Sequence, residues 1–351
     1  MIDNNAHVLL IYTGGTIGMV ENAETGVLEP FDFIHIKEHL QEFVKLKFSI
    51  DTIPFRRPID SSNMGLEEWK YIVHAIEENY HCYDGFVILH GTDTMAYTAS
   101  ALSFMLENLD KPVILTGSQL PIGKVRTDGR ENLITALELA VDKDEYGRPF
   151  VPEVCIFFQN DLMRGNRTTK VNAENFSAFK SYNHPLLAKA GVHIRYAHHH
   201  VLRTREGTPA FHYRLDPNVV IIKIFPGISP DMMNAMLNIP NLKGIVLETY
   251  GTGNAPDFPW FIDAIRKTVD RGIVIVNVTQ CIAGSVEMSR YCSGSTLQDV
   301  GVVSGHDLTT ETAVTKLMFL LARFEDVSEV KRHIMRSLSG EMDTVEAGKV
   351  E

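Results

Sequence analysis

The stretch that decides the fold is Phe86-Val-Ile-Leu-His-Gly-Thr-Asp-Thr-Met95. In it, an apolar run as long as a short strand ends in a polar turn. A helix-like segment, Met95–Asn108, follows at once. Earlier in the chain, Val8–Tyr12 runs in the same way into Thr13-Gly-Gly-Thr16. Strands that end in such turns and continue into helices are typical of a parallel α/β sheet, whose carboxyl edge faces the ligand crevice. The polar residues expected to meet at that edge are Thr16, Thr92 and Asp93.

Outward from these two segments, strand-like runs alternate with helix-like segments in two successive series. The first series has strands at Val8–Tyr12, Phe86–Leu89, Val113–Leu115 and Val154–Phe158 and helices at Leu66–Glu78, Met95–Asn108 and Arg130–Asp142. The second has strands at Val219–Ile224, Gly244–Glu248 and Ile273–Val278 and helices at Asp231–Leu237, Phe258–Asp270 and Glu311–Phe324. The pattern predicts an α/β protein with a larger N-terminal domain, whose parallel-type sheet is flanked by helices, and a smaller C-terminal α/β domain.

The alternation loosens between Ala188 and Pro217, and a domain linker is predicted there. The expected boundaries are 1–199 for the N-terminal domain, 200–216 for the linker and 217–351 for the C-terminal domain. His198-His199-His200 lies at this junction, but adjacent side chains in irregular chain do not converge on one ion. A surface loop is favoured there, and no metal site is predicted.

Composition limits the function classes. With 351 residues and 44% hydrophobic side chains, the chain can form two cores of ordinary size. The formal net charge of −11, without a long basic run, argues against nucleic acid and membrane surfaces as partners. The start lacks a signal-peptide pattern and no apolar run reaches about 18 residues, so a cytoplasmic location is expected. The four scattered cysteines are expected to be free thiols.

Each polar turn has a structural alternative when it is taken alone. The threonine of the glycine turn, Thr16, could cap the next element. Phosphate binding is a second alternative, although the spacing matches neither common phosphate motif and carries no lysine. Asp93 or Thr94 would be a good N-cap for the following helix. The segment Arg164-Gly-Asn-Arg-Thr-Thr-Lys170 reads as a solvated loop, although it could bring a lysine amine beside a threonine hydroxyl and a carboxylate.

Taken together, the polar motifs are specific. The chain resembles the bacterial type I, cytoplasmic L-asparaginases of the asparaginase/glutaminase family. The motifs that carry the resemblance are Tyr12-Thr-Gly-Gly-Thr-Ile-Gly-Met19, Asp60-Ser-Ser-Asn-Met64, His90-Gly-Thr-Asp-Thr-Met-Ala-Tyr97, Leu115-Thr-Gly-Ser-Gln119, Arg164-Gly-Asn-Arg-Thr-Thr-Lys170, Tyr250-Gly-Thr-Gly-Asn-Ala-Pro256 and Asn277-Val-Thr-Gln-Cys281. They span nearly the whole chain.

The resemblance implies roles for individual residues. Thr16 would be the nucleophile, and Thr92, Asp93 and Lys170 would form a second polar group across the substrate. A threonine hydroxyl is a weak nucleophile and needs a base, and a lysine amine serves only when burial or a neighbouring cation lowers its proton affinity. A carboxylate beside that lysine would oppose this, so the residue that accepts the proton stays open.

The resemblance also implies the substrate and the assembly. Asparagine is the expected substrate, hydrolysed through a threonine acyl-enzyme without metal or organic cofactor by a homodimer or homotetramer. The expected substrate-binding residues are Asp60, Ser61, Ser62, Thr92 and Asp93. Hydroxyls and backbone donors would take the α-carboxylate, and Asp93 the α-ammonium. Asp60 to Asn63 could equally cap the helix that begins near Leu66.

Two positions depart from the family pattern. Many relatives have a tyrosine in the loop after the first strand, but Gly26-Val27-Leu28-Glu29-Pro30 has none, so no activating phenol can be assigned there. Some type I enzymes use the segment corresponding to Thr279, Gln280 and Cys281 as an allosteric asparagine site beside an arginine, and here Glu248 takes the arginine's place. A carboxylate would repel the effector's α-carboxylate, so allosteric control is in doubt. Cys281 reads more simply as a small buried residue at a strand end.

Three alternatives remain. Glutamine hydrolysis is one, since one methylene contributes only about 1–3 kcal/mol of discrimination. A non-catalytic amino-acid sensor is a remote second, supported only by the missing loop tyrosine. A subunit of an amidotransferase acting on charged transfer RNA is the third, although such chains carry an additional N-terminal domain.

Overall fold

The computed structural model describes residues 5–21, 28–30, 46–202, 207–288 and 292–343. Contacts divide the chain into two compact units, Met1–Tyr213 and Arg214–Glu351. Each unit has its own sheet with helices packed on it, so the predicted α/β class is confirmed. No helix in the described ranges is long and apolar enough to cross a bilayer.

The first unit contains three described α-helices and fourteen strands, many of them short. Its helices are α1 (Leu66–Asn79), α2 (Met95–Met105) and α3 (Gly129–Val141). Its longer strands are β1 (His7–Gly14), β4 (Ser49–Ile59), β5 (Gly85–Leu89), β7 (Val113–Thr116), β8 (Val154–Phe158) and β9 (Asp161–Arg164). Its two- and three-residue strands are β2 (Met19–Glu21), β3 (Leu28–Pro30), β6 (Leu106–Glu107), β10 (Thr169–Lys170), β11 (Phe179–Lys180), β12 (Ala188–Lys189), β13 (Arg195–Tyr196) and β14 (Ala210–Phe211).

The main sheet has eight strands in the order β13-β12-β9-β8-β7-β5-β1-β4. The five strands from β8 to β4 are parallel, as predicted. Strands β9, β12 and β13 continue the sheet in antiparallel register, so the expectation of a parallel-type sheet is wrong for that edge. A reversal between β8 and β9 needs only a tight turn, and Gln159 at φ 59° provides it.

The strand order places a crevice at a defined point. Strand β1 pairs with β4 on one side and with β5 on the other, so the chain moves one way across the sheet from β1 to β4 and the opposite way from β4 to β5. Ligands in open α/β sheets bind outside the carboxyl ends of the strands where the order reverses in this way. The turns after β1 and β5 are the two polar turns identified in the sequence.

The central strands are buried on both faces. Val8, Leu10 and Tyr12 of β1 lie in one core cluster with Leu133 and Leu137 of α3. Leu9 and Ile11, which point to the opposite face of the sheet, are each 0% exposed. This two-sided burial explains why the strand reads as a continuous apolar run rather than an alternating one.

The second unit is a four-stranded parallel sheet in chain order, β15 (Val219–Lys223), β16 (Gly244–Thr249), β17 (Val274–Thr279) and β18 (Val303–Ser304). Its described helices are α4 (Pro230–Leu237), α5 (Pro259–Asp270), α6 (Cys292–Asp299), α7 (Thr310–Arg323) and α8 (Val327–Ile334).

An ion pair is fully buried in the second unit. Lys316 Nζ lies 2.7 Å from Glu341 Oε1, and both side chains are 0% exposed. The amine also donates to the carbonyls of Ile334 at 2.7 Å and Arg336 at 2.6 Å. All three ammonium hydrogens are therefore used, which is the condition under which a buried charge is tolerated. The pair fastens the segment after α8 to the middle of α7.

Candidate active site

The turn after β1 can be made only by glycine. Gly14 has φ 129°, and a Cβ there would lie 2.2 Å from the Ile59 carbonyl oxygen of β4. Gly15 has φ 84°, and a Cβ on it would lie 2.5 Å from the Gly91 backbone. The turn that carries Thr16 is therefore pressed between β4 and the turn after β5. Thr16 itself is exposed at this edge, as expected for a side chain that meets a ligand.

Two hydroxyls close this turn from the inside. Thr13 Oγ1 donates to the Leu89 carbonyl of β5 at 2.9 Å. The hydroxyl of Tyr12 donates to the Gly18 carbonyl at 3.2 Å, and burial raises the pKa of Tyr12 to about 12. Tyr12 thus points into the turn and does not take the place of the missing loop tyrosine.

Gly91 is the point at which three polar motifs meet. A Cβ on Gly91 would lie 2.5 Å from Ser61 Oγ, while Gly15 contacts it from the other side. Thr94 Oγ1 donates to the Ser61 carbonyl at 2.6 Å, which ties the second turn to the Asp60 motif. Thr94 stands at the N-cap position of α2 without a capping bond from its side chain, so the expected capping role is wrong for it.

Asp60 caps a short turn instead of the helix that begins at Leu66. Its Oδ1 accepts from the Ser62 N–H at 2.9 Å and from the Ser62 hydroxyl at 2.8 Å. These two bonds hold the pKa of Asp60 below its ordinary value, the bond from the Ser62 N–H being the stronger cause. The N-cap of α1 is Gly65, whose N–H donates to Glu68. The alternative in which Asp60 caps the helix that begins near Leu66 is therefore wrong, because Asp60 caps the short turn before it.

The Gly91→Ala substitution is expected to lower the free energy of unfolding by about 1–3 kcal/mol, because the added methyl overpacks Ser61. Urea unfolding of the purified variant measures this. Gly191→Ala is the matched control, since its nearest neighbour would be the His193 carbonyl oxygen at 3.8 Å, and its effect is expected within about 0.5 kcal/mol. Equal stability of the two variants would contradict the packing described for Gly91.

A buried hydrogen-bond chain fixes the Gly91 carbonyl. His90 Nδ1 lies 2.6 Å from that carbonyl oxygen, and because a carbonyl only accepts, Nδ1 carries the proton. His90 Nε2 then accepts from the Thr98 hydroxyl at 2.8 Å, and Thr98 Oγ1 accepts from Trp69 Nε1 at 2.9 Å. Burial lowers the pKa of His90 to about 4, so the ring is neutral at neutral pH. The chain orients the turn from behind.

Lys170 joins the turn after β5 from the opposite side. Its Nζ donates to Thr92 Oγ1 at 2.8 Å and to Asp93 Oδ1 at 2.6 Å. The Lys170 side chain is 17% exposed, whereas the Asp93 side chain is 65% exposed. The structure thus brings a hydroxyl, an amine and a carboxylate together, next to the turn that presents Thr16.

The segment that leads to Lys170 is buried, so its interpretation as a solvated loop is wrong. Residues 164–168 are all buried. Arg164 pairs with Glu153 at 2.6 Å, both side chains being 5% exposed, and also donates to the His200 carbonyl at 2.6 Å. His198, His199 and His200 are exposed. The backbone of the loop at His198–His200 therefore supports the segment that leads to Lys170.

Sequence reasoning assigned no role to Gln119. Thr92 Oγ1 donates to Gln119 Oε1 at 3.3 Å, and Gln119 Nε2 donates to the Asn175 carbonyl at 3.1 Å. Gln119 belongs to the quoted Leu115–Gln119 motif, which was the available signal. His90 likewise stood inside a quoted motif, His90–Tyr97, without a role. Trp69 and Thr98 lie outside the quoted motifs and were missed because a buried hydrogen-bond chain gives no local pattern.

The second unit holds the segment considered as an allosteric site. Glu248 accepts from Thr310 Oγ1 at 2.6 Å and lies 3.3 Å from Lys223 Nζ. Gln280 Nε2 donates to the Glu248 carbonyl at 2.9 Å, and Thr279 Oγ1 donates to the Gly251 carbonyl. Cys281 is exposed, so the expectation of a buried small residue is wrong.

Further expectations concern metals, thiols and the first loop. Among the residues that the structure describes, no three His, Cys, Asp or Glu side chains are grouped to hold a metal ion. Cys82, Cys155 and Cys281 are free thiols, while nothing is described for the side chain of Cys292. Gly26, Val27 and the side chains of residues 28–30 fall outside the described part, so the tyrosine-free loop has no structural account.

Two family models cover this chain in tandem. Residues 7–202 match the N-terminal asparaginase model, and residues 218–334 match the glutaminase/asparaginase C-terminal domain. The chain belongs to the asparaginase family. It is 43% identical over 343 residues to L-asparaginase 1 of Escherichia coli K12, covering 95% of this chain and 97% of that protein.

Solved structures of asparaginases share the fold. L-asparaginase I from Vibrio cholerae superposes with a TM-score of 0.87 at 40% identity, covering 97% of this chain and 100% of that one. The thermostable L-asparaginase from Thermococcus kodakarensis gives 0.88 at 35% identity, covering 96% and 99%. The resemblance to bacterial type I asparaginases inferred from the motifs is confirmed.

Proposed function

We propose that this protein hydrolyses L-asparagine to L-aspartate and ammonia through an acyl-enzyme on Thr16. The observation that carries the proposal is the contact of Lys170 Nζ with Thr92 Oγ1 at 2.8 Å and Asp93 Oδ1 at 2.6 Å, directly beside the turn of Thr16. A hydrolase of this kind needs a nucleophilic hydroxyl and a proton-accepting group within reach of one substrate atom. Membership of the asparaginase family supports asparagine as the substrate.

The proposed reaction has two halves. In the first, Thr16 Oγ1 attacks the side-chain amide carbon and its proton passes to a base, which returns it to the amide nitrogen as the tetrahedral intermediate expels ammonia. Backbone N–H groups of the glycine turn are suited to stabilise the oxyanion. In the second, water attacks the resulting ester and releases aspartate. The Thr92 and Lys170 pair is the candidate that activates the attacking hydroxyl or water.

The substrate's charged groups suggest where it binds. Asp93 is largely exposed at the crevice and can pair with the α-ammonium, even while it contacts Lys170. Ser61 and Ser62 lie on the turn that Asp60 caps. The hydroxyl and N–H of Ser61 can hold the α-carboxylate, whereas the two donors of Ser62 are given to Asp60 Oδ1 and must leave it before they can bind the substrate. Because the Asp60 carboxylate is engaged by Ser62, its proposed role is to shape this turn.

Location, assembly and regulation are proposed on the resemblance. A cytoplasmic homodimer or homotetramer is the expected form of a type I asparaginase. Binding of asparagine at Thr279, Gln280 and Cys281 is disfavoured, because Glu248 presents a carboxylate where an arginine would bind the effector. Lys223 pairs with Glu248 and offsets part of that charge, but it does not supply the planar pair of donors of a guanidinium.

The proposal is tested by ammonia release from L-asparagine and L-glutamine across a range of concentrations. Turnover of asparagine is expected with a higher kcat/KM than for glutamine, and the saturation curve is expected to be hyperbolic. D-asparagine is the matched control, because its α-groups cannot reach the same partners. Asparagine that raises the melting temperature without any ammonia release would instead indicate a sensor. A sigmoidal curve would contradict the argument from Glu248.

A further inference from the structure

The Thr92 hydroxyl has one hydrogen to donate, and the structure shows where it goes. Lys170 Nζ is a donor to Thr92 Oγ1 at 2.8 Å, so it occupies a lone pair of that oxygen. Gln119 Oε1, at 3.3 Å, accepts from the same hydroxyl. The hydrogen of Thr92 therefore points away from Lys170 and towards Gln119.

The amide of Gln119 can sit only one way round. Its Nε2 lies 3.1 Å from the backbone carbonyl of Asn175, which is solely an acceptor. The NH₂ group must face Asn175, and this leaves the carbonyl oxygen facing Thr92. Gln119 consequently presents an acceptor, not a donor, to the threonine.

The backbone on both sides of this amide is also fixed. Asp128 accepts the Gln119 N–H at 3.0 and 3.1 Å and the Leu120 N–H at 3.1 Å. On the other side, Asn172 Oδ1 accepts the Asn175 N–H at 2.7 Å. Asn175 lies in the loop between β10 and β11, which follows Lys170 directly. The Gln119 amide thus links Thr92 to the loop next to Lys170, whose amine contacts Thr92.

We propose that Gln119 is a positioning residue, which directs the Thr92 hydroxyl proton so that an Oγ1 lone pair faces Lys170. This inference rests on the proposed function, because Thr92 and Lys170 are its activating pair. A hydroxyl without a fixed acceptor samples other rotamers, and the fraction in the reactive geometry falls. The effect belongs in kcat, since Gln119 acts on the substrate only through Thr92.

Gln119→Met removes both amide contacts at nearly constant length. It is expected to lower kcat for asparagine about 10- to 100-fold with KM within about 3-fold. Gln119→Glu keeps an acceptor for Thr92 and should retain more of the kcat.

Two controls separate positioning from loop support. Asn172→Ala loosens the loop that carries the Asn175 carbonyl but keeps the Gln119 amide, so it is expected to lower kcat less than Gln119→Met does. Gln298→Met makes the same chemical change at an exposed position of α6 and should leave activity unchanged. Wild-type kcat in Gln119→Met, or an equal loss in Asn172→Ala, would overturn the proposal.

A second measurement does not depend on turnover. Neutron crystal structures are expected to show the deuterium of the Thr92 hydroxyl directed at Gln119 Oε1 in the wild type and in more than one position in Gln119→Met. A single unchanged deuterium position in that variant would refute the positioning role, whether or not the protein releases ammonia. Failure of the proposed function itself would appear differently, as a wild type with an ordered Thr92 and no ammonia release.

Discussion

Thr16→Ala is expected to lower kcat for asparagine hydrolysis by at least about 10³-fold while asparagine still binds. The substitution removes the hydroxyl proposed to attack the amide but none of the groups proposed for the α-ammonium and α-carboxylate. Binding should therefore persist as a rise in melting temperature, since a ligand at 100 times its Kd stabilises by about 2.7 kcal/mol. Ammonia release and thermal melting, measured on one preparation, give both results.

The structure predicts that Thr16→Ala lowers activity without lowering stability. The Thr16 side chain is exposed, and the turn is fixed by Gly14, Gly15 and Thr13, which the substitution leaves in place. Stability is therefore expected to change by no more than about 0.5 kcal/mol. Thr16→Ser keeps a hydroxyl and is the matched control, with activity expected within about 10-fold of the wild type.

Acid quenching during turnover identifies the nucleophile directly. An aspartyl ester is expected on the peptide that contains Thr16 and absent in Thr16→Ala. An ester on Thr92, or substantial ammonia release by Thr16→Ala, would exchange the proposed roles of the two threonines.

Lys316→Met is expected to destabilise the protein by about 3–5 kcal/mol. The variant leaves the Glu341 carboxylate uncompensated at zero exposure and removes the donor to the carbonyls of Ile334 and Arg336. Lys267→Met breaks an exposed pair with Asp263, whose side chains are 73% and 51% exposed, and should cost less than about 1 kcal/mol. Urea unfolding of both variants tests whether burial makes the difference.

The double variant Lys316→Met with Glu341→Gln should be more stable than Lys316→Met alone, because it removes the unpaired charge and keeps an acceptor for the N–H groups of Leu338 and Ser339. A double variant less stable than the single one would contradict this account of the pair.

The same pair predicts a pH dependence. Burial opposes the Glu341 carboxylate, but the Lys316 charge and the hydrogen bonds from Lys316, Leu338 and Ser339 outweigh it and hold the pKa of Glu341 below its ordinary value of 4.5. A carboxyl with a depressed pKa contributes stability above the unfolded value and loses it as the pH falls. The stability advantage of the wild type over Glu341→Gln should therefore shrink below pH 4.5. A constant difference from pH 7 to pH 3 would contradict the pairing.

The sequence allowed the parallel half of the fold to be predicted because its signals are local. The helices predicted at Leu66–Glu78 and Arg130–Asp142 lie within one residue of the observed ends, and Val154–Phe158 matches β8. Strands β12 and β13 have only two residues each and carry no periodicity to detect. Their pairing with β9 depends on tertiary contacts, and so does the burial of Arg164, which a partner distant in sequence neutralises.

The candidate site, like the fold, could be predicted from the sequence only in part. The edge that gathers Thr16, Thr92 and Asp93 follows from strand ends and glycine turns, whereas their chemical roles came from resemblance to a family. Gln119 and His90 stood inside quoted motifs without a role, because hydrogen-bond direction depends on atoms that only the folded chain brings together. The reversal at Gln159 likewise depends on a backbone angle that glutamine seldom adopts.

The central place of β1 has a consequence for biosynthesis. The strand that leaves the ribosome before the rest of the sheet is the one that both β4 and β5 must later flank. Until β5 has emerged, the apolar run Val8–Tyr12 lacks a neighbour on at least one side, and unpaired strand edges of this kind aggregate readily. Yield of the native protein should therefore depend on how quickly translation reaches β5 and on chaperones that shield nascent β1.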